Sequence, residues 1–190
     1  MSHAYDLDIP PVMTAAQFCD WPGDGTGRRF QLIDGDPVAM APPSHAHGIL
    51  IMRLGQVLQN DLDRHPGGYR VTTGTGVQPR LGAATNVRVP GLSVSCSPAS
   101  SHLMQTPVFI AEILSPSNAA ETREAVRACL TIPSLREVLI LSATRPRAEI
   151  TRRGRDGHWP EEATILGEED ELLIECFDFR TPLRALYPAS

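Results

Sequence analysis

The sequence contains no lysine, since all 17 of its basic residues are arginine. This absence excludes the phosphate-binding lysine of a Walker A motif and the lysine that forms a Schiff base with a carbonyl substrate. It also excludes any lysine that would steady a nucleophile in a hydrolase. A genome-wide bias toward arginine is the simplest cause, and the chemical consequence is the same whatever the cause.

Aromatic residues, paired cysteines and long apolar runs are also scarce. Aromatics make up 5% of the chain, and none of the four cysteines forms a C-x-x-C pair, which argues against a zinc knuckle or a dithiol redox site. No run approaches the ~20 apolar residues of a membrane span. The first 11 residues lack the apolar core of a signal peptide. We therefore expect a cytoplasmic protein with no membrane contact.

Length and charge limit the organisation of the chain and its partners. The 190 residues fit one domain, and we expect a flexible segment over 1–11 followed by a single domain over 12–190. The formal net charge is −5, so the chain has no overall basic surface for nucleic acid. Any contact with DNA would come from a local arginine patch.

Hydrophobic spacing and turn residues predict three helices separated by strands. Thr14 with Gln17, and Asn118 with Glu121, have the spacing of a helix-capping box. Asp34-Gly35 indicates a hairpin turn. The predicted helices cover 14–21, 47–64 and 118–130, and the predicted strands cover 29–33, 37–41, 69–72, 76–80, 86–89, 92–96, 108–114, 137–142, 147–152, 163–166 and 172–176.

One predicted strand carries an isolated charge. The run VFIAEIL over 108–114 is almost entirely apolar, which is typical of a strand buried on both faces, and it contains Glu112. A carboxylate in such a strand needs a functional or structural reason. The order of elements predicts an α/β (α+β) fold with a central mixed β-sheet flanked by helices.

Several segments together resemble one family. They are Gln17-Phe18, RFQLIDG at 29–35, the stretch 39–43 with His47-Gly48, VPGLSVSC at 89–96, PVFIAEILSPS at 107–117 and IPSLREVLIL at 132–141. Between about residues 12 and 187 the chain resembles the Uma-two family of restriction-endonuclease homologues, within the PD-(D/E)XK nuclease superfamily. The resemblance implies a restriction-endonuclease-like fold, often a homodimer, and Mg²⁺-dependent hydrolysis of phosphodiesters.

The resemblance also implies where the catalytic groups should be, and three of four are replaced. The family's first-strand Glu corresponds to Gln31, and its Asp after a Pro corresponds to Gly91. The Glu of the apolar strand is retained as Glu112. The family's helix Lys falls at Ala125, and a Tyr four residues later falls at Cys129. We expect Glu112 to be protonated or hydrogen-bonded to Gln31 or to backbone, and the Mg²⁺ site to be lost.

Neighbouring residues offer few substitutes. Asp34 and Asp36 lie in or next to the predicted turn, which should direct them away from the site. Arg123 and Arg127 flank Ala125 and could contact a phosphate, although a solvent-facing pairing with Glu124 explains them better.

Other candidates have structural interpretations. His45 and His47 lack an evident third metal ligand, and Cys96 and Cys129 are predicted to pack in the core. Five arginines near a predicted hairpin could bind phosphates or could form its exposed rim: Arg145, Arg147, Arg152, Arg153 and Arg155.

Three functional hypotheses follow from the sequence. The first is a nuclease-fold protein with a degenerate active site. The second is a non-enzymatic binding module, acting as a dimeric scaffold or a weak nucleic-acid binder. The third is an active nuclease with a site rebuilt around Glu112.

Overall fold

A computed structural model describes residues 12–65, 67–96 and 102–188. The segment 1–11, predicted from the sequence to be flexible, lies outside these ranges. Within them the chain forms three helices and twelve strands, followed in chain order: α1 Ala15–Asp20, β1 Phe30–Ile33, β2 Asp36–Ala39, α2 His45–Leu62, β3 Arg70–Thr72, β4 Gly76–Val77, β5 Leu92–Ser95, β6 Leu103–Met104, β7 Phe109–Leu114, α3 Ala119–Cys129, β8 Glu137–Ser142, β9 Ala148–Arg152, β10 Thr164–Leu166, β11 Glu171–Ile174 and β12 Phe179–Pro182.

A six-stranded mixed sheet forms the centre of the molecule. Its strand order is β10-β9-β8-β7-β5-β3. The central pair β7–β8 is parallel and the other neighbouring pairs are antiparallel. The predicted central mixed sheet flanked by helices is confirmed.

Both faces of this sheet are buried, as the apolar run of β7 predicts. Phe109, Ala111 and Ile113 point to one face, where they pack with the apolar side of α2. Ile110 points to the other face and packs with Val126 and other residues of the α3 side. Because alternate residues of one strand serve two layers, the strand contains almost no polar positions.

The N-terminal layer confirms the local sequence signals. Thr14 caps α1 and forms the predicted capping box with Gln17. Asp34 and Gly35 adopt φ values of +49° and +92°, and this left-handed turn joins β1 to β2. The hairpin is connected to the rest of the fold by a bridge between Leu32 and Val87.

Several local predictions are wrong. Asn118 is the N-cap residue of α3 as predicted, but the capping box is not formed, because its side-chain oxygen accepts a hydrogen bond from the Ser115 amide instead. The strand predicted over 76–80 is only Gly76–Val77, and that over 86–89 reduces to isolated bridges. Cys96 is exposed and does not pack in the core, because β5 ends at Ser95.

The C-terminal hairpin β11–β12 is attached to the sheet through a buried carboxylate. Glu137 of β8 is 2% exposed, and it accepts hydrogen bonds from Arg152 and from the backbone amides of Glu175 and Cys176. Across the described ranges, none of the helices combines the length and apolar character that a membrane crossing requires.

Candidate functional site

The retained carboxylate lies in a row of residues that crosses the sheet. The β5–β7 register pairs Leu92 with Ala111, so Gly91 lies across from Glu112. Glu112 is paired with Ile140 of β8, which in turn is paired with Glu149 of β9. Paired residues point to the same face of a sheet. Glu112 therefore lies on the face that α3 covers.

Among the residues that the structure describes, Glu112 has one hydrogen-bond partner, the Gly91 amide, which donates to Oε2 at 3.2 Å. Burial raises the pKa of this carboxyl to about 7, because the desolvation cost of the charged form exceeds the gain from that hydrogen bond. The expected backbone contact is confirmed. The raised pKa makes Glu112 half-protonated near neutrality.

Position 91 adjoins Glu112, as the family resemblance implies for its metal-binding Asp. A Cβ placed on Gly91 would lie 3.5 Å from Glu112 Oε2. The same Cβ would lie 2.9 Å from the Ile51 Cδ1 methyl and 3.2 Å from the Ala111 carbonyl oxygen. The chain therefore lacks the second carboxylate, and an apolar side chain occupies part of the space beside it.

The positions that correspond to the family's Lys and Tyr lie on the buried side of α3. Ala125 is half-buried, and Cys129 is 1% exposed. Burial raises the pKa of the Cys129 thiol far above its usual range; the Glu112 charge adds to this rise and the Arg88 charge opposes it. Cys129 thus packs in the core as predicted, within electrostatic range of both charged groups, and offers no thiolate.

Gln31 is half-buried on β1, and its side chain makes no hydrogen bond within the described part of the chain. Its predicted hydrogen bond to Glu112 is therefore not formed. The structure brings together Glu112, Gly91 and Cys129, but it gives Glu112 no second polar side chain as a partner.

These residues do not fit a bound Mg²⁺. The ion is held in proteins by carboxylate and other oxygen ligands, usually with several waters. In residues 12–65, 67–96 and 102–188 no group of three or more His, Cys, Asp or Glu side chains could share an ion. Beside Glu112 the position offers a glycine and the Ile51 methyl group, with a single backbone carbonyl oxygen, that of Ala111, instead of a second carboxylate.

The two arginines of α3 differ in their contacts. Arg123 forms a bidentate ion pair with Glu149, at 2.8 and 2.9 Å. The expected pairing with Glu124 is wrong, because the helix directs Arg123 onto β9. Arg127 is exposed. A role for either arginine in binding nucleic acid stays a prediction.

The five arginines near β9 do not form one patch. Arg145 and Arg147 precede β9, whereas Arg153 and Arg155 follow it, so the two groups are separated by a strand of five residues, roughly 16 Å. Arg153 donates to the Leu130 and Pro133 carbonyls and stacks on a tryptophan ring. Arg152, like Arg153, makes hydrogen bonds to other segments of the fold. The predicted exposed rim is therefore formed by only some of the five arginines.

The remaining polar candidates have structural partners. Ser44 caps α2 by accepting a hydrogen bond from the His47 amide, and α2 begins at His45, two residues before the predicted start. Asp34 accepts a hydrogen bond from the Asn86 side chain at the β1–β2 turn. Asp36 opens β2 and is exposed.

One buried charged residue could not be recognised from the sequence. Arg88 is 6% exposed, and its Nε has no hydrogen-bond partner. The sequence offers no signal for this burial, since Arg88 lies in a short segment, 86–89, whose periodicity does not distinguish inward from outward positions.

Comparison with known proteins decides the family. The Uma2 (Uma-two) family, described as "Putative restriction endonuclease", matches residues 15–184. The chain belongs to the Uma-two family. A relative in Synechocystis sp., the uncharacterized protein slr1290, is 26% identical over 153 residues, which are 78% of each chain.

A solved structure shares the Uma-two fold of this chain. It is described as a "putative nuclease belonging to DUF820" from Anabaena variabilis. The two structures superimpose with a TM-score of 0.73 at 14% identity, over 92% of this chain and 97% of the other. This likeness confirms the nuclease-like fold.

Proposed function

We propose that this chain is a nuclease-fold member of the Uma-two family that does not hydrolyse phosphodiesters. The observation that carries the proposal is the place of Gly91. It lies across the sheet from Glu112, where a side chain would adjoin the carboxylate, and Ile51 fills that space. A metal-dependent nuclease needs oxygen ligands there.

The charges around Glu112 support the same conclusion. Cleavage requires a cation that polarises the phosphoryl oxygen and lowers the pKa of the attacking water. It also benefits from a cationic side chain that stabilises the developing charge. Ala125 cannot supply that charge, and the chain has no lysine that could supply it from elsewhere.

A nicking assay tests this proposal. Supercoiled plasmid is incubated with the wild-type protein, with Glu112→Ala and with Glu124→Ala, each purified in the same way, in Mg²⁺ or Mn²⁺. We expect no nicking above the background common to all three proteins. Nicking by the wild type and by Glu124→Ala, lost in Glu112→Ala, would overturn the proposal and support a site rebuilt around Glu112.

Calorimetry gives an independent measurement. Titration of Mg²⁺ into the wild-type protein should release or absorb no heat beyond dilution, because Glu112 lacks a second carboxylate within the site. A saturable heat that disappears in Glu112→Ala would contradict the loss of the metal site.

We further propose that the protein acts as a homodimer in the cytoplasm. The dimer rests on the family resemblance, and Ile165 on the edge strand β10 offers an exposed apolar contact, at 46% exposure. Light scattering after size exclusion tests the dimer: a mass near 20.7 kDa would contradict it.

The proposed cytoplasmic location agrees with the four free cysteines, since thiols stay reduced in that compartment.

A further inference from the structure

Arg88 is a buried cation whose Nε has no partner among the described residues. Its side chain is more than nine-tenths buried, and Nε has no hydrogen-bond acceptor. Throughout the described residues it makes no ion pair with a carboxylate and no stacking contact with an aromatic ring. Of the other arginines near the sheet, Arg123, Arg152 and Arg153 all have such partners.

The pairing of Arg88 shows which way its side chain points. Arg88 and Val77 exchange two backbone hydrogen bonds, at 2.8 and 2.9 Å, so their side chains share one face. Val77 packs with Val126 and Cys129 of α3. The neighbouring Val87 packs on the opposite side with Leu32. The guanidinium therefore lies beneath α3, on the side of the molecule that contains Glu112.

Burial and the Gly91 amide set the pKa of Glu112, and the Arg88 charge makes no contribution to it. The Cys129 thiol lies within range of both the Arg88 and the Glu112 charge. Even so, Glu112 does not pair with Arg88, because its hydrogen bond comes from the Gly91 amide. Within the described ranges, no carboxylate pairs with the Arg88 guanidinium.

An arginine side chain keeps its positive charge in proteins. A buried charge is expected to be paired. Only Nε is enclosed without a partner, so the two terminal nitrogens reach accessible surface and can meet a ligand. A guanidinium presents two parallel N–H groups, which match the spacing of phosphate oxygens.

We propose that Arg88 is the anchor of an anion site that binds a phosphate group beneath α3. The phosphate could belong to a nucleic-acid backbone or to free inorganic phosphate, because both present the same oxygens to the guanidinium. The proposal goes beyond the proposed function: it needs no hydrolysis, and it can fail or succeed whatever the nicking assay shows.

Binding of two probes tests the site. Inorganic phosphate and a short DNA duplex are each titrated into the wild-type protein, Arg88→Gln and the control Arg145→Gln, which removes an exposed arginine from the turn before β9. We expect Arg88→Gln to bind about tenfold or more weakly, the loss typical of a charge-assisted hydrogen bond. Arg145→Gln should bind inorganic phosphate as the wild type does.

The two arms identify the source of the phosphate. Duplex binding whose salt slope falls by about 1 in Arg88→Gln assigns the site to a nucleic-acid backbone. Binding of inorganic phosphate alone assigns it to the free anion. Equal affinities of the wild type and Arg88→Gln for both probes, or no binding of either probe by the wild type, would overturn the proposal.

Folding of the variants must be separated from binding. Arg88→Met removes an unpaired buried charge, so its thermal midpoint without ligand should equal or exceed that of the wild type. Phosphate should no longer raise that midpoint. If both Arg88 variants fail to fold, the arginine Nε–H resonances of the wild type are followed by NMR during the phosphate titration. A shift of one slowly exchanging Nε–H then supports the site, and unchanged resonances reject it.

Discussion

The pKa values of two glutamates in the same row across the sheet, Glu112 and Glu149, are shifted in opposite directions. Glu112 is desolvated without a cation beside its carboxylate, and burial raises its pKa to about 7. Glu149 has a bidentate arginine partner, and the Arg123 hydrogen bonds lower its pKa below the usual value. A carboxyl at this face therefore stays charged only where a neighbouring side chain supplies a positive charge.

This difference predicts opposite effects of pH on stability. The pKa of Glu112 rises from 4.5 in the unfolded chain to about 7 in the fold. The protonated carboxyl therefore contributes to the free energy of unfolding. This contribution is fully present below pH 4.5 and is lost as the pH rises through 7, a change on the order of 3 kcal/mol. Urea unfolding from pH 4.5 to 8 should show Glu112→Gln gaining stability over the wild type.

Glu149→Gln is the matched control for that series. The folded pKa of Glu149 is lowered, so its contribution is present above the unfolded pKa and is lost as the pH falls. Glu149→Gln should therefore lose stability relative to the wild type at neutral pH and approach it in acid. Curves for the wild type and Glu112→Gln that stay parallel would refute the assigned pKa of Glu112.

The limited space for a side chain at position 91 gives a second prediction. Gly91→Asp should destabilise the fold, because its Cβ would lie 2.9 Å from Ile51 Cδ1 and close to Glu112. Ile51→Val removes that methyl, at a cost of about 0.5–1.5 kcal/mol by itself. In a double-mutant cycle by urea unfolding, the combined loss should be smaller than the sum. Strict additivity would show that Ile51 does not occupy the space.

The sequence predicted which residues form the site better than it predicted which other side chains surround them. Family resemblance located Glu112, Gly91 and Cys129, and the fold brings these three together. It did not reveal that Ile51 adjoins Gly91 or that Arg88 is buried on the α3 side. Both features depend on contacts between segments distant in the chain, and a local pattern contains no information on such contacts.

At the scale of elements, the C-terminal hairpin depends on the Glu137 contacts. Its carboxylate joins β8 to Arg152 of β9 and to the two amides that follow β11. Arg152 also donates to the Leu173 carbonyl of β11. The hairpin β11–β12 is thus attached by a buried ionic network, in addition to the apolar packing of Leu172 and Ile174.

Loss of one buried partner should cost far more than loss of an exposed one. Glu137→Ala leaves Arg152 without its buried carboxylate, and we expect a loss of about 3–5 kcal/mol. Glu175→Ala removes a carboxylate that is 62% exposed and 3.3 Å from the same arginine, and we expect less than about 1 kcal/mol. Equal losses on urea unfolding would contradict the role of Glu137.

Element types were more predictable than element ends. The three helices and the central strands follow from spacing, because their apolar positions pack against one core. The predictions of element ends fail where tertiary contacts override local preference. The Asn118 side chain accepts a hydrogen bond from the preceding Ser115 amide, and the strand that begins at Gly76 ends at Val77. Strands β6 and β12 were missed because two to four residues carry too little periodicity to recognise.

At the scale of the whole molecule, one sheet serves two cores. The α2 side and the α3 side share β7 and β8, so neither core can lose its packing while the sheet stays intact. The small N-terminal cluster around Leu32 joins them through the bridge to Val87. We therefore expect residues 12–190 to unfold as a single unit.

The two tryptophans allow this prediction to be tested. Trp21 packs beside the N-terminal cluster, and Trp159 packs beside the α3 core. Urea unfolding of Trp21→Phe and Trp159→Phe, followed by the remaining fluorescence and by circular dichroism, should give coincident midpoints within each variant. Separate midpoints for the two probes would divide the chain into independent units.

The methyl group of Ile51 beside Gly91 also bears on the evolutionary history of the chain. Once a carboxylate is absent at position 91, selection no longer keeps its space open, and a larger neighbour can improve the packing. On the proposed function, a substitution to Asp at position 91 meets the Ile51 methyl before it can contribute a metal ligand. Recovery of a metal site would then need at least two substitutions, one at position 91 and one at position 51.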